Sequence, residues 1–109
     1  MDKINDALRT KLEERNFEDE LYKAILLLET KEEMKAFFKD LCTPQEISAM
    51  AERWKVCQLL ERGDLSYRDI NALTGASLTT IGRVARFIKD EDNRGYINVL
   101  AKLSPEEKL

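Results

Sequence analysis

Between residues 77 and 89 the chain places Ser77, Thr79, Thr80, Arg83, Arg86 and Lys89, with no acidic side chain among them. Hydroxyls both donate and accept hydrogen bonds, and guanidiniums grip planar oxyanions through paired N–H donors. That chemistry is recognition of a polyanion rather than bond making. Gly82 adds a position without a side chain, where another backbone could come close. In the same stretch Ile81, Val84, Phe87 and Ile88 recur at helical spacing, so the polar set shares one helix with an apolar stripe.

A helix of this kind needs a partner to hold it, and the preceding residues supply one. Ser66 is a good N-cap with Asp69 three residues on, and Ile70 and Leu73 give the segment an apolar side. Thr74-Gly75-Ala76 then breaks the pattern, Gly75 being free to take the left-handed conformation of a sharp reversal. Ser77 caps the second segment. Two short helices joined by a tight turn, the second cationic, have the layout of a DNA-reading helix-turn-helix, whose second helix enters the major groove. An ordinary helical hairpin with a solvated face would share this spacing. The outer face is small, hydroxylated and basic rather than mixed in charge, which favours DNA.

Composition narrows the remaining classes. With 109 residues, 43% apolar and 36% charged, and two prolines, the chain reads as one helical domain rather than a disordered segment. No run approaches the ~18 apolar residues of a membrane span, and the N-terminal MDKINDALRTKLEER has no signal-peptide core. The expectation is a cytoplasmic protein. Histidine is absent, and there is no phosphate-cradling glycine loop or nucleophile elbow. Cys42 and Cys57 lack metal-binding spacing and read as buried reduced thiols. Neither an enzyme, a metal site nor a cofactor is expected.

The net charge of −3 argues against nucleic acid only until it is mapped. Residues 1–52 carry 8 basic and 13 acidic side chains, whereas residues 53–94 carry 8 and 6. A Debye length of about 8 Å screens the acidic half from a phosphate at the basic one.

The remaining elements are also helical. Residues 2–15, with Ile4, Leu8 and Leu12, predict a helix or a loosely held arm, placed as a separate segment over 1–16. Phe17–Leu28 comes next, and its second half is apolar nearly all round, which predicts burial on more than one side. Thr30 and Glu33 make a capping box for a helix bearing Met34, Phe37, Phe38 and Leu41. Thr43-Pro44-Gln45-Glu46 is the strongest helix start, opening a strut to about Arg62 that stops at Gly63. Ile47, Met50, Trp54 and Cys57 form its stripe, widened by Val56, Leu59 and Leu60. Asp90–Gly95 is a connector, Ile97, Val99, Leu100 and Leu103 suggest a last helix, and 104–109 reads as a flexible tail. The expected fold is all-α, six or so helices, with a single domain over 17–103.

From Phe37 to about Ile88, FFKDLCTPQEISAMAERWKVCQLLERGDLSYRDINALTGASLTTIGRVARFI closely resembles the Trp-repressor superfamily, and within it the Trp-repressor-related YerC/YecD type. The LCT segment before the long helix, the LLERGDLSYRDI bridge and TGAS followed by TIGRV carry the resemblance. It implies an intertwined homodimer acting as a DNA-binding transcriptional regulator, of repressor type. Arg68 matches a phosphate-contacting arginine, and Leu78, Thr79 and Gly82 match base-facing positions with different identities. The expected DNA-binding set is therefore Arg68, Ser77, Leu78, Thr79, Thr80, Gly82, Arg83, Arg86 and Lys89. Gly82 could serve close approach to DNA or tight helix packing equally well.

The resemblance also implies an effector pocket, with Thr43, Arg53, Thr80 and Arg83 at matching positions. Val84 and Phe87 stand where tryptophan-binding members carry glycine and serine, and their bulk is expected to fill the space an indole would need. Tryptophan is therefore not the expected effector. The rival to a double-stranded DNA partner is a helical protein-interaction module that binds no DNA, which the acidic excess of residues 1–52 keeps open.

Overall fold

Short-range hydrogen bonds decide where the helices begin and end. The computed structural model describes residues 3–109, except the side chain of Ile4, so the first two residues of the expected arm and the Ile4 side chain lie outside it. Among the described residues there are seven α-helices, one 3₁₀ turn and no strand. These are α1 (Lys3–Glu14), α2 (Phe17–Ile25), α3 (Lys31–Leu41), α4 (Pro44–Arg62), α5 (Tyr67–Thr74), α6 (Leu78–Lys89) and α7 (Gly95–Lys102), with the turn at Pro105–Glu107. The all-α class stands.

The chain divides into two compact units that meet at Leu41/Cys42. In the unit ending at Leu41, Asn16 caps α2, accepting from the Asp19 N–H at 3.0 Å. Arg15 pairs with Glu20 beside it. Helix α2 stops at Ile25, and Leu26, Leu27 and Leu28 close tight turns onto Tyr22, Ala24 and Ile25. The burial expected for this apolar run is not found: Leu26 is 83% and Leu27 77% exposed. Leu26 keeps helical dihedrals and its bond to Tyr22, so within one chain these leucines are left uncovered rather than turned away. No described residue from 3 to 41 is buried. Thr30 accepts from the Glu33 N–H as expected, but the Glu33 carboxylate reaches back to Glu29 rather than to Thr30.

In the unit from Cys42 to Leu109, Thr43 and Glu46 form a complete capping box: Glu46 N–H donates to Thr43 Oγ1 (3.1 Å) and Thr43 N–H to Glu46 Oε1 (2.8 Å). The helix it opens ends at Gly63, whose φ of 81° is left-handed. Val56 and Cys57 of α4, Ile70 of α5, Ala76 of the turn, Ile81 and Val84 of α6 and Leu100 of α7 make one buried cluster. Trp54, Leu59, Leu60, Leu65, Ile88, Tyr96 and Leu103 pack around it. Leu73, expected to line the apolar side of α5, is instead 66% exposed. Ile70 is the buried residue of α5, and it is Thr74, four residues on, that is half-buried beside it, which leaves Leu73 on the exposed side.

The segment 104–109, read from sequence as a flexible tail, carries the 3₁₀ turn. Ser104 caps it with Glu107. The Gln58 amide, oriented to satisfy both its ends, accepts from the Trp54 indole N–H (3.0 Å) and donates to the Glu107 carbonyl (3.3 Å). Both cysteines are free. Cys57 is buried, and burial, with a smaller push from Glu61, raises its thiol to about 11. Cys42 is half-buried in the α3–α4 junction rather than within a helix, so only Cys57 matches the expected setting.

The capping boxes make stability depend on acid. Backbone and hydroxyl donors of Thr43 hold the Glu46 carboxyl below its ordinary range, and those of Ser66 do the same for Asp69. A group depressed on folding stabilises the fold above its unfolded pKa, and that contribution is lost as pH falls through the folded value. The combined Glu46→Gln and Asp69→Asn variant should therefore show a shallower fall in melting temperature from about pH 5 to about pH 2. Thermal melts across that range, monitored by circular dichroism, check it.

Candidate nucleic-acid interface

The turn between α5 and α6 is braced from three directions. Gly75 takes the left-handed conformation at φ 78° and its N–H closes onto the Asn71 carbonyl at 2.8 Å. The Asn71 side-chain amide donates to the Ala76 carbonyl at 2.7 Å, and the Thr74 hydroxyl donates to Ile70 while accepting from the Ala76 N–H. Ala76 itself is 1% exposed. Asn71 and Thr74 thus fix the angle between the two helices, a role that residue types and spacing did not reveal. A Thr or Asn in the last turn before a glycine was the available signal, since both bond readily to nearby backbone.

On the first helix Ser66 and Asp69 form a full capping box, and Arg68 beside them is exposed. On α6 the Ser77 hydroxyl is already engaged: it accepts from the Thr80 N–H at 3.1 Å and donates to Thr80 Oγ1 at 3.0 Å. Its role is the cap, and any hydrogen bond to DNA, which its place in the expected DNA-binding set requires, would have to compete with it. Leu78, Thr79, Arg83, Arg86 and Lys89 are exposed, and Thr80 and Gly82 are half-buried. Thr79, Gly82, Arg83 and Arg86 fall at i, i+3, i+4 and i+7, which puts them on one face. The opposite face is the core, with Ile81, Val84 and Ala85 buried.

A β-carbon built on Gly82 meets nothing within 4 Å. The packing explanation for this glycine therefore fails within the chain. Among the described residues Arg68, Arg83 and Lys89 form no ion pair, whereas Arg86 Nε lies 3.4 Å from Glu91 Oε1. Glu91 sits just past the end of α6 and was not foreseen as a partner.

Arg53 and Arg83 line one cavity of about 590 Å³, together with Trp54, Val84, Phe87, Asn93, Gly95, Tyr96 and Val99. The four residues proposed for an effector pocket are not all brought together there. Thr43 is the cap of α4, and Thr80 is bonded to Ser77 at the start of α6. Val84 belongs to the core cluster and is 1% exposed, and Val84 and Phe87 both form part of the wall of this cavity.

Residues 18–104 match the family model described as Trp repressor protein. The chain belongs to the Trp repressor family. It is 46% identical over 89 residues to the uncharacterized protein YerC of Bacillus subtilis (strain 168), covering 82% of this chain and 84% of that one. It is 33% identical over 66 residues to the Trp operon repressor homolog of Aliivibrio salmonicida (strain LFI1238), covering 59% of this chain and 61% of that one. Among solved structures, a TrpR-like protein from Eubacterium eligens ATCC 27750 superposes with a TM-score of 0.69 at 39% identity, over 79% of this chain and 90% of that one. A candidate Trp repressor from Staphylococcus aureus gives a TM-score of 0.72 at 34% identity, over 93% of both chains. The family model begins at Glu18, so α1 lies ahead of the matched region. None of the helices among the described residues is long and apolar enough to cross a membrane.

Proposed function

We propose that this member of the Trp repressor family is a cytoplasmic, sequence-specific DNA-binding transcriptional regulator, of repressor type, that acts as a homodimer with α6 in the major groove. The observation that carries the reading is the α6 face itself: Thr79, Gly82, Arg83 and Arg86 are aligned, acid-free and opposite a buried stripe. Arg68, Arg83, Arg86 and Lys89 supply phosphate or guanine contacts, and Leu78 and Thr79 meet base edges. No catalytic role is assigned to any residue.

The dimer rests on two arguments. One helix-turn-helix contacts too few base pairs for a useful specificity ratio, so two copies would read half-sites about 34 Å apart. The exposed Leu26 and Leu27, and a 3–41 segment without a buried residue, offer the apolar surface that a second copy would cover. Regulation is proposed to be independent of tryptophan. Arg83, one of the two cations on the cavity wall, already stacks on Phe87 with its Cζ 4.8 Å from the ring centroid.

The test is binding to a random DNA duplex at low salt, by fluorescence anisotropy, with no small molecule added and with sedimentation of the same sample. A dimer that binds supports the proposal. A folded protein that stays silent favours the protein-interaction module, and silence broken only by tryptophan overturns the effector argument.

Gly82 gives a sharper check. Gly82→Ala should raise thermal stability, by about 1 kcal/mol, because a mid-helix glycine is replaced where the β-carbon meets open space. The same variant should weaken DNA binding if the backbone at 82 approaches the duplex. Melting and anisotropy on one preparation separate the two effects.

A further inference from the structure

Two guanidiniums share a single aromatic ring on α6. The Cζ of Arg83 lies 4.8 Å from the Phe87 centroid and that of Arg86 lies 5.3 Å from it. Both are inside the ~6 Å within which the ring quadrupole attracts a cation. Arg83 and Phe87 are four residues apart and so meet along the helix, while the long Arg86 side chain folds back onto the neighbouring ring. Phe87 is half-buried, as expected of a ring held against the rest of the domain at one edge and free at another.

The two ways of holding an arginine differ in what they leave available. A carboxylate occupies the in-plane N–H donors of the guanidinium. An aromatic ring occupies its flat face and leaves the five donors in the plane free for another acceptor. A long side chain that must be ordered on binding loses rotamer freedom, and one already held by a ring loses less. Arg83 is held by the ring and by no ion pair among the described residues, and Arg86 is held by the ring and by Glu91.

We propose that Phe87 is a positioning residue for phosphate binding, its ring holding Arg83, and Arg86 together with Glu91, in place before DNA arrives. This rests on the DNA-binding reading of α6. It goes beyond it by assigning part of the affinity to a side chain that touches no DNA. Positioning has a signature of its own, because it changes how ready the cations are and not how many there are. The dependence on salt counts neutralised phosphates and should stay the same.

Phe87→Leu should therefore weaken binding to a random duplex about tenfold at fixed salt, with the slope of log affinity against log salt unchanged. Phe87→Trp, with the stronger quadrupole, should restore it. If Phe87→Leu does not fold, 3,4,5-trifluorophenylalanine at position 87 keeps the shape while weakening the quadrupole, and should lower affinity in the same way. In the free wild-type protein, the Nε–H resonances of Arg83 and Arg86 should show ring-current shifts that Phe87→Leu abolishes. Wild-type binding with an unaffected folded Phe87→Leu, or the absence of those shifts, overturns the positioning role alone. Failure of the wild type to bind any duplex overturns the DNA reading, and the positioning role with it.

Discussion

Raising salt from about 50 to about 200 mM should weaken binding of the dimer to random duplex DNA by about 10⁴-fold. The magnitude comes from four cations per copy, Arg68, Arg83, Arg86 and Lys89, all exposed on the two motif helices. If each neutralises one phosphate, a dimer displaces about eight counterions and the log–log slope is near −7. Arg86→Ala should flatten that slope by about two per dimer and weaken all sequences alike. Because Arg86 also faces Glu91 at 3.4 Å, part of its charge is already compensated, and its effect should not exceed that of Arg83→Ala. Anisotropy titrations at four or five salt concentrations measure the slope. A slope near −2 would mean that most of these cations stay in solvent. A loss restricted to one operator variant would make Arg86 a base reader.

Ile81→Ala should cost about 2–5 kcal/mol of folding stability. Ile81 is 0% exposed and sits on α6 inside the cluster that joins α4, α5, α6 and α7. Removing its distal carbons takes away apolar burial and leaves a void that a close-packed core only partly collapses into. Small domains have a total stability of about 5–15 kcal/mol, so this is a large part of it, and the melting temperature should fall by well over 10 °C. Leu73→Ala is the paired control. Leu73 is 66% exposed, and its loss should change stability by no more than about 0.5 kcal/mol. Urea melts of both variants at one protein concentration decide the matter, the concentration being fixed because a dimer couples folding to association. Equal losses would mean that Leu73 is covered in the assembled protein, and would place an interface on α5.

Helix ends and turns were legible in the sequence because they depend on partners two to five residues away. Thr43 with Glu46, Ser66 with Asp69, and the left-handed Gly63 and Gly75 all act within one turn of chain, and all stand where the spacing put them. The family was legible for a related reason, since LLERGDLSYRDI and TGAS keep these short-range signals in order. Burial was not. Periodicity marks a residue as apolar and assigns it a face, but it does not say whether another element covers that face. Ile70 and Leu73 look alike in sequence, yet only Ile70 meets the α4–α6 core. Leu26 and Leu27 look like core residues, yet no part of the single chain among the described residues covers them. The interface on α6 divides the same way. Its polar face could be read from residue types, whereas three features required the chain in three dimensions: the ring shared by Arg83 and Arg86, the Glu91 contact and the open space at Gly82. Local order came from hydrogen bonds between near neighbours, and the choice of which side chains are buried, stacked or free came from packing between helices distant in sequence.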